Sequence, residues 1–359
     1  MRAIITADIH LGKPGRLADC LWALRSIRHY ASSHDIRKIL VLGDFFHDRV
    51  NVNIEVGSAA IDFLKEARDE YGQEWFVFPG NHDMFLKNSW EANSLKFISS
   101  AATLIEEPGL VDIAGHRFWI IPFIHYENVY MKVLENVEKQ YEDGDVLLTH
   151  IGSADSVLNL CFLCKHWSVV TFENSIFDRV YSGHFHVHQQ VGEKLWYPGS
   201  PIPFNFDEGL TDHGFFVYDM DKQNHEFVNI LDAGAAAGLE GPPPCSFITV
   251  SHDDIENVDI KNARIRVHLD GKHVTDDEFD KLRISLIDKG ALSVTRLRLK
   301  EIEVEVGEEK LGTIDLQDEF SLLQLWFDHD QPDNINIAIL KELNKKVVAG
   351  SLNRIEDEN

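Results

Sequence analysis

Residues 37–48, RKILVLGDFFHD, decide the fold. Ile39–Leu42 form an apolar run with no polar alternation, the pattern of a strand buried on both faces. Gly43 and Asp44 then stop the run abruptly, and His47 and Asp48 follow within one turn. The same unit recurs as RAIITADIH (2–10), EWFVFPGNHD (74–83), DVLLTHIG (145–152) and DRVYSGHFHVH (178–188). Between the early runs, Leu17, Leu21, Leu24 and Ile27 recur at helical spacing, as do Val56, Ala60, Phe63 and Ala67. Strands alternating with helices predict an α/β domain. In such sheets ligands collect beyond the carboxyl ends of the strands, so all five polar stops are expected at one edge of one sheet.

Further along, GHRFWIIPF (115–123) predicts a strand after a glycine turn, and HGFFVYDMDKQNHEFVNI (213–230) a β-hairpin. Residues 232–244, DAGAAAGLEGPPP, are small, glycine-bearing and proline-terminated, and they place a domain boundary there. The expected division is 1–240 for the first domain, 245–330 for a small α+β domain, and 331–359 for an amphipathic helical tail. The small domain is predicted from strands in ARIRVHLD (263–270), LSVTRLRLK (292–300) and EIEVEV (301–306) and a helix in DDEFDKLRISLIDKG (276–290). In the tail, Ile335, Ile339, Leu340, Leu343 and Val347 fall on one stripe, the face of a helix that packs on its own chain or docks into a partner's groove.

The chain has 359 residues, 44% of them apolar, enough for roughly two domains of about 100–200 residues and incompatible with disorder. No apolar run reaches the length of a membrane span, and the start lacks the basic and apolar regions of an export signal, so no membrane association is expected. Four cysteines make no disulfide framework, which fits a reducing, cytoplasmic setting. The net charge of −25 repels phosphate on average, so a nucleic-acid substrate would need bound cations, a local basic patch or a partner protein.

The polar stops carry the chemistry: Asp8-Ile9-His10, Gly43-Asp44 with His47, Gly80-Asn81-His82-Asp83, Thr149-His150 and Gly183-His184-Phe185-His186. Mixed nitrogen and oxygen donors suit divalent transition metals such as manganese, iron or zinc. Residues i and i+2 leave a strand on the same side, so each D-x-H and H-x-H pair is expected to reach one cluster. The glycines before Asp44, Asn81 and His184 are expected to allow tight turns. Two adjacent cations would activate water and stabilise both oxygens of a phosphoryl displacement, with a histidine such as His82 serving the leaving group.

In this order the motifs resemble the calcineurin-like metallophosphoesterase superfamily. The histidine three residues after Asp44 and the segment YPGSPIPFNFDEG (197–209) look like its SbcD-type DNA nuclease branch. The resemblance implies a four-layer αββα sandwich with a DNA-capping domain and a C-terminal helix that binds an ATPase. It also implies two divalent ions, Mn2+ with Mg2+ as the alternative. Asp8, His10 and His186 would bind one ion, Asn81, His150 and His184 the other, with Asp44 bridging. His82 would act on the leaving group with Asp83 orienting it, and His47 would help hold metal or substrate. The activity implied is 3′-to-5′ exonuclease on duplex ends and endonuclease on single strands, in a homodimer bound to an SbcC-like coiled-coil ATPase. A protein phosphatase, a cyclic-nucleotide phosphodiesterase and a non-catalytic scaffold remain the alternatives.

Three other signals carry less. Cys161 and Cys164 have zinc-like spacing without a second pair, so an apolar segment is expected there. His188 is expected to contact substrate or solvent rather than metal, and His125 to be structural.

Overall fold

The computed structural model describes residues 1–86, 89–153, 156–159, 162–163, 172–239, 241–269, 274–297, 302–306 and 309–314. In chain order the elements that matter are β1 (Arg2–Thr6), α1 (Leu17–Ser33), β2 (Lys38–Val41), α2 (Ile54–Asp69), β3 (Glu74–Val77) and β4 (Thr103–Leu104). There follow β5 (Gly109–Ile113), β6 (His116–Ile121), α3 (Glu127–Glu138), β7 (Val146–His150), β8 (Val180–Gly183), β9 (Gln189–Val191) and β10 (Leu195–Tyr197). The hairpin β11 (Gly214–Asp219) and β12 (Asn224–Asn229) and helix α4 (Ile230–Ala237) complete the first compact unit, which comprises Met1–Phe204 and Thr211–Pro244.

These strands form two six-stranded sheets, ordered β12-β11-β1-β2-β3-β4 and β9-β10-β8-β7-β6-β5. The one sheet edge expected from sequence is therefore two edges, one from each sheet. The reason lies in the alternation within each run. Ile4, Ile39 and Val41 pack under α1 and α2, while Ala3, Ile5, Leu40 and Leu42 pack against Phe118, Ile120 and Leu148 of the second sheet. Leu147 and Ile121 point the other way, onto Tyr130 and Leu134 of α3. Each strand thus feeds two apolar layers, and helices, sheet, sheet and helix stack as the four-layer α/β sandwich anticipated from the motifs.

The predicted linker 232–244 begins as helix. Residues 230–237 form α4, whose N-cap Asn229 accepts from the Leu231 N–H and whose end is the left-handed Gly238. Alanine-rich sequence is the strongest helix former, and an apolar neighbour made that preference decisive. Ala233 and Ile230 are buried in the helical layer with Trp22 and Leu24 of α1. The compact unit ends at Pro244, the last residue of that stretch.

The second unit takes Asn205–Leu210 and the chain from Cys245 onward. Its three-stranded parallel sheet pairs Ser246–Ser251 with Ala263–His268 and that strand with Ser293–Arg296. Helix α5 (Asp276–Asp288) starts at a capping box between Thr275 and Glu278 and buries Phe279 and Leu286 against Ile265, Val267 and Val294. EIEVEV supplies the strand Ile302–Val306, paired antiparallel with Glu309–Ile314. The tail 331–359 and Cys161 and Cys164 lie outside the described residues.

Gly234 reports the α1–α4 contact. A Cβ there would overlap the Trp22 ring and crowd Ser26 Oγ at 2.8 Å. Helix propensity favours alanine over glycine by about 1 kcal/mol. Overpacking costs roughly 1–3 kcal/mol and wins here. Gly234→Ala is therefore expected to lower the urea midpoint at unchanged m-value; a raised midpoint would show that the two helices part without cost.

Candidate metal centre

Asp8, His10, Asp44, Asn81, His150, His184 and His186 come from both sheet edges to one place. Asp44 Oδ2 lies 3.8 Å from His10 Nε2 and 3.6 Å from His150 Nε2, between the two groups. On one side His10 Nε2 is 3.0 Å from His186 Nε2, and donor atoms of Asp8, His10 and His186 lie within 4.8 Å of one another. On the other, Asn81 Oδ1 is 3.0 Å from His150 Nε2 and 2.9 Å from His184 Nδ1.

The backbone that brings these groups in is strained. Asp8, His10, Asp44 and His184 have φ of 52°, 49°, 51° and 102°, a region that costs non-glycine residues about 1–3 kcal/mol each. This also corrects the expectation of strand alternation. Strand β1 ends at Thr6 and β8 at Gly183, so Asp8, His10, His184 and His186 all lie past the last ladder residue. Left-handed turns, not the pleat, converge them. Compensation comes from hydrogen bonds: the His184 N–H donates to the Asp8 carboxylate at 3.0–3.1 Å, and the His82 N–H to Asp44 Oδ1 at 2.8 Å.

Only one of the three glycines before ligands is there for its dihedral. Gly43 has φ +85°, whereas Gly80 and Gly183 are small because something lies against them. A Cβ on Gly80 would overlap the Asp44 carboxylate, and one on Gly183 would overlap Leu42 O and stand 2.7 Å from His150 Nδ1.

Hydrogen bonding fixes the tautomers. Leu42 O can only accept, so His150 Nδ1, 2.7 Å away, carries the proton and donates it. Nε2 is then a bare lone pair, aimed at Asn81 Oδ1 and Asp44 Oδ2. Burial holds His150 and, most strongly, His10 below the ordinary histidine range, and burial followed by the His150 charge pushes His184 down to about 3. The neutral His150 imidazole thus presents its Nε2 lone pair to a carboxylate and an amide oxygen. Acceptors facing acceptors in a buried site are satisfied by a cation, and this donor set fits divalent transition metals.

Asp83 does something other than expected. Its carboxylate accepts the backbone N–H groups of Phe45 at 3.2 Å, Phe46 at 2.9 Å and Gly80 at 3.0 Å, tying the Asp44 and Asn81 loops together. It does not orient His82. That ring is held by His47 O, 2.7 Å from His82 Nδ1, so Nδ1 is protonated and Nε2 is the basic nitrogen. Sequence gave no warning of this exchange, because a backbone acceptor leaves no residue signature.

Around the centre stand residues the motifs did not name. Phe204 of the segment 197–209 sets its ring 5.4 Å from His10 and 5.7 Å from His186, and Lys13 Nζ lies 5.4 Å over the Phe204 ring. Phe123 stacks on His184 at 6.2 Å. His125 is tilted against Phe123 and meets Tyr126 edge-on. His188 is half-buried, stacked on Phe227 of the β11–β12 hairpin at 4.0 Å with Nδ1 3.3 Å from Tyr197 O.

A family profile described as calcineurin-like phosphoesterase matches residues 1–188, a span that includes every residue of the metal cluster. The chain belongs to the calcineurin-like phosphoesterase family. Its relatives include "Putative phosphoesterase 078R" of Invertebrate iridescent virus 3, 23% identical over 217 residues, covering 54% of this chain and 60% of that protein. "Putative phosphoesterase 244L" of Invertebrate iridescent virus 6 is 22% identical over 193 residues, covering 51% of this chain and 64% of that one. The chain spans 60–64% of the length of these curated relatives. A solved structure, "GAP50 the anchor in the inner membrane complex of Plasmodium", aligns with 66% of this chain and 94% of its own at 13% identity and a TM-score of 0.38. Among the described residues, no helix is long and apolar enough to cross a membrane.

Removing the Asp83 carboxylate strands three buried backbone N–H groups. Each such group costs about 1–3 kcal/mol. Asp83→Ala is expected to lose several kcal/mol in urea unfolding, whereas His82→Ala stays within about 1 kcal/mol of wild type. Equal losses would place the tie elsewhere. The depressed histidines also set a pH dependence. His47 is held at about 4 by burial and Lys13, and His225 at about 4 by burial and His188. An unfolded chain takes up their protons near pH 6.5, so their stabilisation is complete above about 6.5 and is lost as pH falls toward 4. In chelator, unfolding free energy is expected to drop by roughly 1.4 kcal/mol per pH unit for each such proton. A flat profile from pH 7 to 4.5 would show that these rings are solvated.

Proposed function

We propose that this phosphoesterase is a two-metal DNA nuclease of the SbcD type, similar to the nuclease subunit of the recombination endonuclease of T-even-type phages. The observation that carries the reading is the pairing of the metal centre with the SbcD-like segment 197–209, whose Phe204 edges both His10 and His186. His47, the histidine that the branch adds to the Asp44 motif, stands 3.3 Å from His10 through the two Nδ1 atoms. Lys13 supplies a local positive charge beside that wall in a chain of net charge −25.

Asp8, His10 and His186 would hold one divalent ion, and Asn81, His150 and His184 the other, with Asp44 Oδ2 shared. Mn2+ is the ion proposed. Bound there, the pair supplies Lewis acidity toward a phosphoryl oxygen and activates water. The chain's own part is positional. Asp44 is fixed through Oδ1 by the His82 N–H, so Oδ2 stays between the two sides. His82, with Nδ1 committed to His47 O, exchanges protons only at Nε2: once protonated there, it delivers that proton to the leaving oxygen. The proposed activity is 3′-to-5′ exonuclease on duplex ends and endonuclease on single strands. The second unit is proposed as a DNA-capping domain and residues 331–359 as the helix that binds an SbcC-like ATPase in a dimer-based assembly.

The test is cleavage of end-labelled duplex and of circular single strands, in manganese and in magnesium, with and without the ATPase. Manganese-dependent shortening from the 3′ end is expected, and His82→Ala is expected to slow it by about 10²–10⁴-fold with metal content unchanged. Hydrolysis of bis-p-nitrophenyl phosphate with no DNA cleavage in any arm would leave a phosphoesterase of another substrate class.

A further inference from the structure

His10 uses both ring nitrogens. Nε2 faces the cluster, 3.0 Å from His186 Nε2 and 3.8 Å from Asp44 Oδ2, while Nδ1 lies 3.3 Å from His47 Nδ1. A neutral imidazole that ligates through one nitrogen carries its proton on the other, and that proton requires an acceptor. In most metal sites the acceptor is a carboxylate or a backbone carbonyl. Here the group facing His10 Nδ1 is a second imidazole.

We infer that His47 is a positioning residue: its Nδ1 accepts the Nδ1–H of His10 and keeps the His10 Nε2 lone pair turned onto the cation. The inference rests on the metal-centre reading. Its consequences are specific. Accepting at Nδ1 places His47's own proton on Nε2. The same residue, through its carbonyl, fixes His82 with the proton on Nδ1. One residue thereby sets the tautomer of a proposed ligand by its ring and of the proposed proton donor by its backbone. The two effects separate cleanly, because a side-chain substitution leaves the carbonyl in place. His47 also stacks on His82 at 5.4 Å and 12° and meets His10 edge-on at 5.2 Å and 77°. A phenyl ring preserves both contacts and removes only the nitrogen acceptor.

The test measures Mn2+ binding to the full chain by calorimetry, with no substrate present. His47→Phe is expected to weaken one of two sites by about 10–100-fold, the range for loss of such a partner, and to leave the other unchanged. His47→Asn, whose Oδ1 can occupy the place of Nδ1, is expected to stay within about threefold of wild type. Unchanged affinity in His47→Phe overturns the inference, and so does equal weakening in both variants. His10→Ala is the control for the underlying reading: if it removes neither site, the metal centre itself is wrong, whereas loss of a site in His10→Ala alone refutes only the role of His47. Should His47→Phe fail to fold, ¹⁵N-histidine spectra of the zinc-loaded wild type decide the matter. A proton on His10 Nδ1 supports the assignment, and a proton on His10 Nε2 overturns it.

Discussion

The structure turns on lone pairs that face each other. Asp44 Oδ2 stands between His10 Nε2 and His150 Nε2, and Asn81 Oδ1 between His150 Nε2 and His184 Nδ1. Removed from water, such an arrangement is repulsive unless positive charge enters it. A protein core would not assemble it without return. The surrounding architecture can be understood as the means of holding it together: two sheets packed face to face so that their carboxyl edges abut, Leu42 O and the Asp8 carboxylate reaching across to the histidines of the other sheet, and the Asp83 carboxylate fastening two loops beneath.

Much of this was legible in the chain. Runs such as ILVL and VLLT read as strands because both faces are buried, and Asp8, His10, Asp44, Asn81, His150, His184 and His186 lie together. The ligand types suffice to find the site because coordination chemistry restricts them to a few side chains. The small domain's strand, helix and strand were equally plain, since their apolar periodicity is local.

What escaped was whatever depends on the backbone or on partners distant in sequence. Two sheets look like one when each strand is apolar throughout. The ends of β1 and β8 gave no sign that their donors converge through left-handed turns, because Asp and His, although enriched in that region among non-glycine residues, occupy it too seldom for their identity alone to announce it. Asp83 was assigned to the wrong neighbour, its adjacency to His82 in sequence being a poorer guide than its reach to three amides. Residues 232–237, the start of the stretch 232–244, read as part of a boundary because small side chains suit loops as well as helices, and the apolar layer around Trp22 made the difference.

Gly80 and Gly183 leave a mark on how such a centre can change over time. They bear no functional atom, yet the Asp44 carboxylate and the Leu42 carbonyl occupy the volume a methyl group would need. A survey that probes function by trimming side chains back passes over these two positions, since there is nothing to trim. Drift away from glycine is barred there as firmly as loss of a ligand, so the centre's inheritance is guarded by empty space as much as by its donors.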